Sequence, residues 1–148
     1  MIPDFDSKGN LPCGVHWATW QEFVQRFGIT PHRMSLLSGL RRAMDVLKDA
    51  GCETVYVDGS FVTSKISPSD FDACWDTAGV NPKLLDPVLL DFSNARAAQK
   101  AKYQGEFFPA QWAELSTGLT FLEFFQIDKE TGDAKGIIAI DLRGMPRD

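Results

Sequence analysis

Apolar residues recur with a helical period over the first third of the chain and with a period of two after it. Trp20, Phe23, Val24 and Phe27 fall at i, i+3, i+4 and i+7, one stripe of an amphipathic helix. Thr19-Trp20-Gln21-Glu22 is a capping-box pattern that opens it, and Gly28 is the expected stop. Thr30 and Pro31 form an N-cap and first-turn pair for a second helix. Its buried face is Leu36, Leu37, Leu40, Ala43, Met44 and Leu47, with Gly51 at its end. Arg33, Arg41 and Arg42 lie off that stripe and read as a solvated face, with the alternative that one of them reaches nucleotide phosphates or a partner.

The pattern then changes to strands. Residues 54–58 are rich in β-formers and run into Gly59-Ser60. Residues 70–75 alternate: Phe71, Ala73 and Trp75 are expected in the core, and Asp70, Asp72, Cys74 and Asp76 on the opposite face. Residues 137–142 form a last strand. Ile138, Ile140 and Leu142 pack on the helices, and Ile137, Ala139 and Asp141 share the other face.

Between these runs the signals are weaker. Residues 1–18, rich in Pro, Gly and Asp, read as an irregular arm. Residues 60–65 suit a short helical turn closed by Pro68. Asn81-Pro82 and Asp86-Pro87 each have the form of a helix start, and Ser93 of a cap for a helix through residue 102. Arg96, Lys100 and Lys102 make that helix the most basic segment; it is a solvated face or a contact for a triphosphate or an acidic partner. Residues 105–110 suit an edge strand or extended segment, and 119–125 a short helix or a strand, since Phe and Thr favour both. The sum is one α/β domain over residues 1–148: a small mixed sheet with packed helices, two of them before the first strong strand.

Composition narrows the function classes. A 148-residue chain with 44% apolar and 24% charged residues is an ordinary globular domain. No apolar run approaches a membrane span, so no membrane partner is expected. The net charge of −5 does not suggest general nucleic-acid binding. Cys13, Cys52 and Cys74 are scattered without CxxC spacing, which suits a reducing, cytoplasmic location. His16 and His32 are too isolated to form a metal pair, and the four tryptophans read as core or half-buried aromatics.

The candidate chemistry lies between the first two strands. On a strand, Asp70 and Asp72 put two carboxylates on one face, repelling by ~1–4 kcal/mol at contact distance. A cation between them relieves that repulsion, and hard oxygen ligands suit Mg²⁺ shared with a phosphate. Gly59-Ser60 supplies close backbone approach, free amides and a hydroxyl for such a phosphate. Lys65, in the spacer loop, is a further candidate phosphate contact, and Asp58 reads as a turn residue. Competing motifs fail. Tyr56 stands where a haloacid-dehalogenase phosphatase needs its nucleophilic Asp. The order Asp58-Gly59-Ser60 does not fit an aspartic protease, and there is neither a P-loop nor GxGxxG.

A strand, Gly59-Ser60, nine intervening residues and Asp70-Phe71-Asp72 resemble the DNA polymerase β-like nucleotidyltransferase superfamily, in particular its minimal bacterial members. The opening Leu-Pro-x-Gly-x-His followed by a Phe-rich helix resembles an uncharacterised, antitoxin-like branch. The resemblance implies the polymerase β-like fold. It implies Mg²⁺ on Asp70 and Asp72, with Asp141 as a third carboxylate, and Gly59 and Ser60 on the β- and γ-phosphates. It implies transfer of a nucleoside monophosphate, AMP from ATP, to an acceptor hydroxyl. The acceptor is expected on a partner protein such as a toxin, with a small molecule second. The alternative is a non-catalytic nucleotide- or partner-binding module of the same fold.

Overall fold

The computed structural model describes residues 2–146. Five strands form one mixed sheet: β1 (Gly14–Ala18), β2 (Thr54–Asp58), β3 (Asp72–Trp75), β4 (Glu106–Pro109) and β5 (Gly136–Asp141), in the order β1-β5-β2-β3-β4. Strand β2 runs antiparallel to both neighbours, with Asp58 opposite Asp72 on one side and Val57 opposite Ile138 on the other. Strands β1 and β4 add in parallel to β5 and β3.

Four helices lie among the described residues: α1 (Trp20–Phe27), α2 (Pro31–Asp49), α3 (Ser93–Tyr103) and α4 (Phe121–Phe124). The first two form where their caps direct. Thr19 and Glu22 complete a reciprocal capping box, Gly28 N–H closes α1 on the Val24 carbonyl, and the Thr30 hydroxyl accepts from Arg33 N–H. One sheet face, carrying Val55, Val57, Ala73, Phe107, Ile138 and Ile140, packs with Phe23, Leu40, Met44, Leu47 and Tyr103 into the main core. Phe23, Phe27, Phe61, Phe71 and Phe107 form a continuous chain of ring contacts through it. The opposite face carries a smaller cluster of Cys74, Ala110 and Phe125, with Tyr56, Phe108, Phe121, Leu122 and Phe124 against it. No helix of the described residues is long and apolar enough to cross a membrane.

Several expectations are corrected. The arm at 1–18 contains β1, an edge strand whose Val15 and Trp17 stay 37% and 53% exposed. It is held by backbone pairing to β5, a long-range partner that no local apolar pattern announces. Strand β3 starts at Asp72; Asp70 and Phe71 precede it, although the Phe71 carbonyl still accepts from Glu106 N–H. Residues near Asn81-Pro82 form turns, and Asp86-Pro87 opens only a 3₁₀ turn. Helix α3 begins irregularly, with Asn94, Ala95 and Arg96 at left-handed φ and the Ser93 hydroxyl bonded to Asp91. Arg33 and Arg41 are buried, 2% and 7% exposed, and not a solvated face. Arg41 reaches Asp45 and the Pro146 carbonyl.

Candidate active site

The site is built where β2 ends. Gly59 follows with φ +82° and ψ −171°, a conformation nearly confined to glycine. A Cβ there would lie 2.9 Å from Asp72 Oδ2 and 3.2 Å from Asp72 N. The bare α-carbon thus lets the Asp72 carboxylate sit directly over the turn. Residues Ser60–Val62 then form a 3₁₀ turn, closed by Val62 N–H on the Gly59 carbonyl and by the Thr63 amide and hydroxyl on the Ser60 carbonyl. The Gly-Ser turn and Asp72 come together because β2 and β3 are antiparallel neighbours with Asp58 and Asp72 in register.

The same registers extend the acidic group. Asp58 on β2, Asp72 on β3 and Glu106 on β4 are successive Cα partners, one carboxyl row across three strands. Asp70 lies just before β3, near enough for its charge to act on Asp72. Burial pushes Asp72 up to about 8, helped by a hydrogen bond to Glu106 and by the charges of Glu106, Asp58 and Asp70. Burial acts the same way on Glu106, but the Asp72 hydrogen bond and the Arg96 and Lys100 charges outweigh it and hold Glu106 low. The two shifts run in opposite directions across the pair, Asp72 raised and Glu106 lowered. Arg96 Nε lies 2.7 Å from Glu106 Oε1 and Lys100 Nζ 3.4 Å. Asp58 is pushed up to about 6 by burial, opposed by Lys135, whose Nζ lies 3.3 Å from Oδ1. No hydrogen bond of normal geometry reaches that oxygen, so the contact is an ion pair. Asp70 is raised by burial first and by Glu106 second.

Two cavities meet at Asp72. One, about 530 Å³, is polar: Gly59, Ser60 and Thr63 line it with Lys8, Lys129 and Lys135. The other, about 580 Å³, is aromatic, lined by Phe92, Phe108, Trp112, Phe121 and Phe124 with Arg96 and Glu106 at its inner edge. Asp72, Phe124, Phe125 and Lys129 belong to both. The result is one cleft, polar at one end, apolar at the other and acidic at the join.

The structure divides the predicted site residues. Asp70 precedes β3, lines neither cavity and acts on Asp72 through its charge, whereas Gly59, Ser60 and Asp72 are brought together. Asp141 is not. Its face parity is as expected, but β5 is antiparallel to β2, so Asp141 pairs with Thr54 at the far end of that strand. Four residues of strand separate it from the Asp58 register, roughly 13 Å. Its carboxylate binds Arg143 at 3.0 Å, and that guanidinium holds it below its ordinary value. Asp141→Asn should leave both stability (within ~0.5 kcal/mol) and cleft ligand affinity unchanged, since the group is exposed and remote. Urea titration and calorimetry check this; a large loss of affinity would restore Asp141 to the site. Lys65 is also displaced. It lines neither cavity; its carbonyl docks on Arg33, and its charge acts on Asp70. The cleft lysines are Lys8, Lys129 and Lys135 instead.

Among the described residues no group of three His, Cys, Asp or Glu side chains is arranged to hold a metal ion. The donor set is hard oxygen, with carboxyls packed closely enough that burial and neighbouring acids raise Asp72. This fits Mg²⁺ of the kind bound through one or two carboxylates with the remaining shell from phosphate and water, and not a closed protein cage.

A family model matches residues 3–141 of the chain. The chain belongs to DUF6932, a family of unknown function. No curated protein and no solved structure is significantly similar to it. Within this DUF6932 domain, sequence reasoning missed Glu106, Asp58 and Lys135 as site residues. A signal existed for Glu106: in an edge strand at 105–110, Glu106 and Phe108 share one face and Phe107 the other. Lys135 had no local signal, since only the sheet order sets it beside Asp58.

Proposed function

We propose that this DUF6932 chain is a metal-dependent nucleotidyltransferase with a polymerase β-like arrangement of its sheet. One observation carries the reading: the Gly59 turn and the Asp72 carboxylate are in van der Waals proximity, at the join of a polar and an aromatic cavity. The amides after Gly59, the Ser60 hydroxyl and the cleft lysines bind the β- and γ-phosphates of ATP in the polar half. Asp70 and Asp72 would hold Mg²⁺ together with those phosphates and water, and Glu106 adjoins Asp72 in the same carboxyl row. When bound, the ion supplies charge neutralisation at the α-phosphate and at the leaving oxygen. The acceptor hydroxyl enters opposite the pyrophosphate, from the aromatic half. Its oxygen bonds to the α-phosphorus, the bond to the β-phosphate oxygen breaks, and the hydroxyl proton passes to the carboxylates of the acidic row. The products are the nucleotidylated acceptor and pyrophosphate. A hydroxyl on a partner protein of toxin type is the proposed acceptor, with a small molecule second.

The test is calorimetry of ATP with Mg²⁺ and with chelator. Unneutralised, the acidic row repels the phosphates, so Mg²⁺ should tighten binding at least ~10-fold, or ~1.4 kcal/mol. Equal affinity in both conditions overturns the metal assignment. The position of Asp141 favours a second reading, a nucleotide-binding module without catalysis. Pyrophosphate release in the presence of cell extract as acceptor source separates the two: binding without release supports the second.

A further inference from the structure

Arg33 is 2% exposed, yet no carboxylate pairs with it among the described residues. Its guanidinium donates to five carbonyls. Nη1 reaches Phe27 at 3.3 Å and Phe61 at 2.7 Å, Nη2 reaches Thr63 at 3.3 Å and also Lys65, and Nε reaches Ile66 at 3.4 Å. Four of these acceptors lie in residues 61–66, which follow Ser60 directly. The guanidinium also stands over the Phe61 ring, 4.8 Å from its centroid.

A buried guanidinium without a carboxylate is costly to desolvate, and a well-packed apolar side chain would serve stability at least as well. What an apolar side chain lacks is the planar fork of five donors that ties several carbonyls at fixed angles. Phe61 and Val62 anchor the start of the tied segment in the core, but Ser64, Lys65 and Ile66 are exposed, and besides Arg33 that part is held by Ser64 N–H on the Gly9 carbonyl and Lys65 N–H on the Thr63 hydroxyl. At its start, Ser60 and Thr63 line the polar half of the cleft, and the Thr63 carbonyl is one of those held. We propose that Arg33 is a positioning residue for phosphate binding, its fork fixing residues 61–66 so that Ser60 and Thr63 face the polar half. This rests on the reading of that half as a phosphate site.

Arg33→Lys keeps the charge and removes the fork. In this variant the amides of residues 60–66 should exchange with deuterium at least tenfold faster, relative to those of β2 and β5. Affinity for inorganic triphosphate with Mg²⁺ should fall at least tenfold. Unchanged loop exchange or unchanged affinity overturns the proposal. Should the variant fail to fold, the wild-type protein carries the test: adding triphosphate and Mg²⁺ should shift the Arg33 Nε–H resonance, and an unmoved resonance overturns the role. A wild-type protein that binds no triphosphate overturns the nucleotide reading itself. One that binds it, paired with an Arg33→Lys protein that binds it equally, overturns the role of Arg33 alone.

Discussion

Asp72→Asn should abolish the proposed nucleotidyl transfer and make the free protein more stable above neutral pH. Asp72 is the carboxyl where the Gly59 turn, the acidic row and both cavities meet. If Asp72 holds the metal as proposed, losing it removes several kcal/mol of transition-state stabilisation, so transfer should fall ~10³-fold or more. Stability moves the other way. Burial and neighbouring acids raise Asp72 to about 8. Between about pH 4 and that value the folded chain holds a proton that the unfolded chain has released. The stability contributed by the protonated group is complete below the unfolded value and is lost as pH rises through the folded one. The wild-type protein should therefore lose stability over this window, by at most ~1.4 kcal/mol per pH unit. Asparagine has no such proton and should flatten the slope. Glu106, held low, acts in the opposite sense: its contribution is present above the ordinary glutamate value and is lost as pH falls through the folded one. Urea unfolding at pH 5, 7 and 9, with pyrophosphate release, measures both effects. Identical pH slopes in variant and wild type would remove Asp72 from the titrating pair. Retained transfer would make it structural.

Gly59→Ala should cost about 2–3 kcal/mol and eliminate ATP binding in the presence of Mg²⁺. The methyl group meets two penalties at once. The φ of +82° with ψ near ±180° is a region that L side chains rarely occupy. The added carbon would also press on Asp72 Oδ2 and on the Asp72 amide, which is backbone of the adjacent strand and not free to move. Relief requires the turn to swing away from β3, carrying Ser60 off the polar cavity. Gly144→Ala is the matched control, because a Cβ there meets nothing within 4 Å. Thermal melting and calorimetry on both variants read the difference. A Gly59→Ala protein that melts and binds like wild type would show that the turn neither needs glycine nor forms the phosphate site.

Much of this protein is written locally. The capping box at Thr19 and Glu22, the Thr30-Pro31 start of α2 and the alternation along β3 and β5 are short-range rules; the helices start where those rules placed them, and the strands keep the expected faces with ends shifted by one or two residues. The pairing of Gly59-Ser60 with Asp72 was also legible, because two strands joined by a short spacer usually become neighbours. Periodicity says which face of a strand a residue occupies. It does not say which strand lies alongside, in which direction, or in what register. Those are decided by long-range pairing, and here they decide the site. The antiparallel run of β5 against β2 carried Asp141 to the wrong end of a correctly read face. The parallel addition of β4 to β3 set Glu106 beside Asp72, and β1 found a partner in β5 that its own pattern does not name. Arg33 follows the same logic: its sequence position says surface, and only the loop that folds over it supplies the carbonyls that make burial tolerable. The residue types and the faces of the candidate site are local properties of the chain, while its membership is set by the order and direction of the sheet.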